Sequence, residues 1–183
     1  PETLESLGLL IEESRTNNAL YSDDFNNAAW VKQTGHGLTS NTTIAPDGTQ
    51  TADTFNRGAA DQYIYQSIGI TGLHVMSVWV KTPDGAGNKN FAMQHFNSTD
   101  GGIGATTFTA TEEWQRFSIQ ASPTVGGGGW YPCIPTDIGQ DIHVWGAQVE
   151  EGFFATSYIP TSGSSVTRGA DVANILGENF SNT

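Results

Sequence analysis

"VMSVWVK", residues 75 to 81, alternates strictly, with Met76, Val78 and Val80 on one side of an extended chain and Ser77, Trp79 and Lys81 on the other. Side chains on a β-strand alternate between faces, so the stretch reads as a half-buried strand with its apolar side on a core. The same period runs outward from it in "QYIYQSIGI" (62–70), "FAMQHFN" (91–97), "WQRFSIQA" (114–121) and "DIHVWGAQVE" (141–150). Weaker alternation marks 8–14, 37–44, 51–57, 104–110 and 155–160. Turn signals separate these runs at Pro46-Asp47-Gly48, Pro83-Asp84-Gly85 and Asp100-Gly101-Gly102. About ten short strands spaced by turns predict an all-β sandwich of two antiparallel sheets. No segment carries a helical apolar stripe; residues 23–30, "DDFNNAAW", allow one capped helical turn. No internal repeat is visible. After Pro160 the alternation stops and the chain turns polar, which predicts a domain over 1–160 and a linker over 161–183 that leads into a further domain.

Composition narrows the function. The 183 residues suit one continuous core, and only 14% are charged, fewer than the roughly 25% of an average domain. A formal net charge of −12 opposes binding to phosphate backbones and to anionic membrane surfaces, since both rest on Lys and Arg. No apolar run approaches the ~18 residues of a membrane span. The single cysteine, Cys133, can form no intrachain disulfide and reads as a small apolar residue.

Several stretches together carry a resemblance. "GLLIEESRTNNALYSDDFNNAAWVKQ" (8–33), "PDGTQTAD" (46–53), "SVWVK" (77–81), "WQRFS" (114–118), "VWGAQVEEGFFATSYIPT" (144–161) and "VTRGAD" (166–171) follow one another in this order. They resemble a domain family widespread in bacteriophage tail and fibre proteins, and the likeness spans nearly the whole chain. It implies a jelly-roll β-sandwich of the concanavalin A-like, carbohydrate-binding-module type, often followed by a second lectin-like sandwich. It further implies a virion location outside the cell, polysaccharide as partner and a homo-oligomer, such as a trimer, in the parent fibre. The family supplies no catalytic residues. Modules of this kind commonly hold a structural calcium, for which Asp47, Asp53, Asp137 and Asp141 are the candidate contributors; none lies in an EF-hand-type loop.

Catalysis finds little support in the residues. Glycoside hydrolysis needs two carboxyls about 5–9.5 Å apart across a bond. The doublets Glu12-Glu13, Asp23-Asp24, Glu112-Glu113 and Glu150-Glu151 point to opposite faces of a strand, so none is a pair by itself. His36, His74, His95 and His143 lack metal-ligand spacing, and no nucleophile turn occurs.

Sugar binding has a simpler requirement. An aromatic ring packs on the apolar face of a pyranose, and polar side chains take the hydroxyls that leave water. On that basis Trp79 is the preferred platform, with Lys81 beside it. Arg116 shares a strand face with Trp114 and Ser118, His95 lies with Met93, and Gln148 faces away from Trp145, which reads as core. Trp30 plugs one end of the sandwich, and Tyr63 and Tyr65 divide between the core and a concave face. In "TVGGGGWYPC" (124–133) four glycines precede two aromatics. With no nucleophile or acid pair to deliver, the stretch reads as a flexible approach that sets Trp130 and Tyr131 at the rim as a stacking platform; packing over a sheet edge is the alternative. The expectation is a non-catalytic glycan-binding module, with a structural spacer of a fibre or an accessory module of a polysaccharide depolymerase as the competing readings.

Overall fold

Among the residues that the computed structural model describes (10–33, 36–59 and 62–173), the chain is made of strands and turns, with no helix. In chain order the strands are β1 (Arg15–Asn17), β2 (Val31–Lys32), β3 (Gly37–Thr43), β4 (Ala52–Asn56), β5 (Ile64–Ile68) and β6 (His74–Lys81). Then come β7 (Lys89–Asn97), β8 (Gly101–Ala110), β9 (Gln115–Ala121), β10 (Gly128–Pro135), β11 (Asp141–Glu151) and β12 (Val166–Arg168). Two five-stranded antiparallel sheets face each other. The first has the order β3-β4-β11-β6-β9 and the second β2-β5-β10-β7-β8; β1 and β12 form a separate ribbon. This is the two-sheet sandwich that the alternation predicts and the jelly roll that the family resemblance implies.

The strand at 75–81 shows why it forms. Met76, Val78 and Val80 are fully buried between the sheets, beside Phe55, Phe91, Met93, Ile142 and Val144. Each such side chain gains about 1.5–3 kcal/mol by leaving water, and only a two-residue period delivers them all to one side.

β11 breaks that period once. Its register against β6 shifts between Trp145 and Gln148, where Gly146 takes a φ of 68°. The bulge inserts an extra residue, so Val144 and Ala147 both face the core while Trp145 and Gln148 both face outward. A Cβ on Gly146 would sit 3.1 Å from Trp79, so the kink needs glycine twice over. Trp145 is therefore buried at 3%, but on the outer side of the sheet, in a second cluster with Ala45 and Ala52.

The largest departure from expectation is the glycine run. Residues 128–135 are no rim loop; they are β10, the central strand of the second sheet, paired with both β5 and β7. Close approach explains the glycines. A Cβ on Gly128 would lie 2.1 Å from the His95 ring, and one on Gly129 2.8 Å from the Tyr65 ring. The run thus leaves room for side chains of its neighbours, one on each face.

Residues 21–30 form successive turns in place of the helical turn, with Asp24, Asn27 and Trp30 each donating an N–H to the carbonyl three residues back. Trp30 closes one end of the core at 1% exposure. The Lys32 ammonium lies within hydrogen-bond distance of the Phe25, Asn26, Asn27 and Trp30 carbonyls, which fastens these turns. Near the other terminus, the buried Asn17 amide donates to the Ala147 and Ile159 carbonyls and accepts from the Ala19 and Val149 N–H groups. β12 then pairs with β1, and Arg168 forms an ion pair with Glu12. A boundary at 160 is therefore misplaced: Thr161 is buried and residues 166–168 belong to the fold, while 174–183 of the expected linker lie outside the described residues. The 155–160 stretch forms no strand, and neither do the described residues of 8–14.

Candidate ligand-binding face

Each sheet has an outward side, and the two differ sharply. On the first sheet the outward positions of β6, β9 and β11 carry Val75, Ser77, Trp79, Arg116, Trp145, Gln148 and Glu150. Residues 152–161 lie across them. The Gln148 amide donates to the Thr156 and Ser157 carbonyls and accepts the Ile159 N–H at 2.7 Å. The buried Glu150 carboxylate accepts both the N–H and the hydroxyl of Thr156. Arg116 donates to the Thr156 carbonyl and the Ser77 hydroxyl. Polar groups expected to meet sugar hydroxyls are occupied by the chain's own backbone.

This geometry revises most of the residues that sequence reasoning singled out. Gln148 is fully buried and its amide is engaged. Trp79 is partly buried in the second cluster with Trp145, Trp114 and Tyr158, so it is packing material there and no open platform. Lys81 stands nearby but pairs with Asp84 at 2.9 Å. Trp130 and His95 are fully buried, because they occupy directly opposed inward positions on β10 and β7. The rim position expected for Trp130 is overturned: the residue after Gly129 faces the core. Of the expected residues, Tyr131 alone points outward from the second sheet.

That outward face carries exposed and half-buried side chains around Tyr131, which its neighbours bury to 9% exposure. Its central row runs from Val31 through Tyr65 and Tyr131 to Gln94, and the next row from Ser67 through Gly129 to Phe96. Tyr65 and Tyr131 are stacked with centroids 5.1 Å apart and planes inclined by 28°, and Tyr63 meets Tyr131 edge-on at 5.0 Å. Beyond them lie Ile134, Ala92 and Thr107, then Asn90 and Thr109, joined by a 2.8 Å hydrogen bond. Val31 is 41% and Phe96 45% exposed. Among the described residues no phenol hydroxyl of Tyr63, Tyr65 or Tyr131 has a protein hydrogen-bond partner. Burial, with Tyr63 and Tyr65 alongside, raises the Tyr131 pKa, so its hydroxyl stays a proton donor at neutral pH.

None of these outward strand positions is Asp, Glu, Lys or Arg. The arrangement offers a flat aromatic cluster surrounded by hydroxyls and amides, with no fixed charge. Tyr63 and Tyr65 do not divide between core and surface; both point outward. The signal was in the strand: Ile64 and Ile68 set the inward parity, which leaves the two tyrosines on the other side.

The aspartates proposed for calcium serve separate tasks. Asp53 accepts the Phe25 and Asn41 N–H groups, Asp47 caps the turn at Thr49, Asp141 accepts the Asn56 amide, and Asp137 lies on an exposed turn. No three His, Cys, Asp or Glu side chains among the described residues are grouped to hold a metal ion. Cys133 is fully buried, and burial raises its thiol pKa, so it remains protonated.

Fold and open face together define a jelly-roll sandwich of the carbohydrate-binding-module architecture. The chain is similar in structure to the CBM22-1 xylan-binding domain of Paenibacillus barcinonensis Xyn10C, with a TM-score of 0.55, 14% identity, and coverage of 78% of this chain and 96% of that one. It is similar also to the C-terminal family 22 carbohydrate-binding module of Clostridium thermocellum Xyn10B, with a TM-score of 0.57, 12% identity, and coverage of 78% and 94%. A third similar structure is the enzymatically active domain of bacteriophage CBA120 tailspike protein 4, with a TM-score of 0.50, 13% identity, and coverage of 73% of this chain and 21% of that one. No protein-family model and no curated protein matches the sequence. At these identities the likeness establishes the fold.

Proposed function

We propose that the chain is a non-catalytic glycan-binding module that holds an uncharged polysaccharide on the outward face of its second sheet. The observation that carries this reading is the Tyr63-Tyr65-Tyr131 cluster, with Tyr63 and Tyr65 half-buried on a face with no charged side chain in its outward strand positions. Rigid phenols bury sugar C–H surface at small entropic cost, and their hydroxyls, with Gln94, Asn90 and Thr107, take hydroxyl partners. An acidic or phosphorylated glycan would find no cation there. The xylan-binding relatives in fold support a sugar ligand, and the sequence resemblance supports a phage tail or fibre as the parent, an extracellular virion protein in which several copies add avidity of about 10²–10⁴.

The test is affinity electrophoresis in gels containing xylan, mannan, mixed-linkage glucan or, as an anionic control, alginate. At least one uncharged polymer should retard the wild type, and Tyr65→Ala and Tyr131→Ala should each remove most of the retardation, whereas Trp79→Ala should bind as wild type if folded. Retardation by alginate alone, or retention of full binding by both tyrosine variants, would sink the assignment. Release of reducing ends from any of these polymers would instead favour an enzyme.

A further inference from the structure

The turn after β11 carries an unusual pair. Phe153 is 70% and Phe154 58% exposed, side by side on the outer side of the first sheet. Burying either ring would gain about 1.5–3 kcal/mol, so leaving both in water needs a reason. The backbone here is held firmly. The Gly152 N–H donates to the Leu73 carbonyl, the Gln120 amide donates to the Phe153 carbonyl at 2.6 Å, and Glu150 clamps Thr156 just beyond. Gly152 takes a φ of 132°, and a Cβ there would run into the Arg15 guanidinium. Arg15 in turn lies 5.4 Å from the Phe154 ring centre. The rings are therefore displayed by a fixed scaffold.

A hollow lies on each flank of this ridge. One, of about 660 Å³, is lined by Thr106, Ser118 and Gln120 and by Val75, Phe108 and Ile119, together with the two rings. The other, of about 580 Å³, is lined by Thr16, Asn18 and Glu151 with the same rings. Both volumes lie in the roughly 300–1,000 Å³ range of small-ligand sites. An aromatic ridge between one hollow of mixed polar and apolar lining and one mainly polar hollow suits a sugar: one pyranose face packs on a phenyl ring while hydroxyls reach hydrogen-bonding groups on either side. A protein partner would require a broad contact of about 1,000 Å² or more, whereas the ridge is two rings wide.

We propose that Phe153 and Phe154 form a second saccharide-binding site, separate from the tyrosine face and built around the turn after β11. It does not rest on the reading of that face, because the two sites share no residue. A module with both would engage two stretches of glycan at once.

The experiment is a ¹H–¹⁵N NMR titration of the whole chain with xylohexaose, mannohexaose, cellohexaose and chitohexaose, each to millimolar concentration. At least one sugar should shift the Gly152, Phe153, Phe154 and Ala155 amides saturably. Phe153→Ser/Phe154→Ser should weaken that response at least about tenfold and leave any shifts at Gly129–Tyr131 unchanged; Phe153→Tyr/Phe154→Tyr should restore it. An unchanged spectrum elsewhere shows that the variants fold. No shift at 152–155 with any sugar overturns this site alone if the tyrosine face responds, and overturns both sites if neither responds. Self-association that the serine variant abolishes, without sugar-induced shifts at 152–155, would assign the ridge to a protein contact and overturn the proposal.

Discussion

At Gly128 and Gly129 a missing methyl group decides what two neighbouring side chains can do. A Cβ at 128 meets the His95 ring inside the sandwich, while one at 129 meets the Tyr65 ring outside it. Gly128→Ala should therefore cost about 1–3 kcal/mol in urea unfolding, as overpacked cores do. Gly129→Ala should tilt Tyr65 and weaken glycan retardation more than it lowers stability. Equal effects of the two on both readouts would contradict the assignment of faces. Asp53 gives a pH signature. Burial, with Asp24 and Asp23 nearby, raises its carboxyl from 3.8 to about 6 despite two backbone N–H donors. Between these values the folded chain keeps a proton that the unfolded chain has released. Stability from this group is thus present at acid pH and lost as pH rises through about 4 to 6, by about 2–3 kcal/mol. Urea midpoints measured across that range should fall less steeply for Asp53→Asn than for wild type; parallel curves would remove Asp53 as the cause.

The segment 152–161 is the element that separates the two sheets functionally. It has no strand pairing of its own and is pinned by side chains of β9 and β11. Removing the Gln148 amide leaves the Thr156 and Ser157 carbonyls and the Ile159 N–H without that partner, each costing about 1–3 kcal/mol if it stays buried. Gln148→Ala should cost about 2–4 kcal/mol and make the Ile159 amide exchange with solvent faster than amides in β6. Retained protection at Ile159 would show that other contacts hold the segment. The bulge at Gly146 belongs to the same device, since it turns Gln148 outward to meet the segment while Ala147 keeps its place in the core.

For the whole molecule, one continuous core and an uncharged open face lead to a binding signature. At a ligand concentration about ten times Kd, binding to the native state adds about 1.4 kcal/mol, an upward shift in Tm of roughly 3–6 °C for a chain of this size. That shift should persist from low ionic strength to about 1 M salt, because no outward strand position of the second sheet carries a charge to screen. A shift that salt abolishes would argue for an ionic ligand. The sequence by itself determined the class of fold. Period-two alternation is a local property, and each run from 75–81 outward announces its own strand and its own inward side. The two glycines at 128 and 129 hid β10, because a residue without a side chain shows no alternation; the reason for them lies on β5 and β7. The open face was legible only in fragments, such as the outward parity of Tyr63 and Tyr65 against Ile64 and Ile68. Which outward side stays open was decided by the tertiary structure. Strand pairing and the bulge bring residues 152–161 across the first sheet and leave the second uncovered. The alternation separates one face of a strand from the other, but burial of either face depends on parts of the chain far away in sequence.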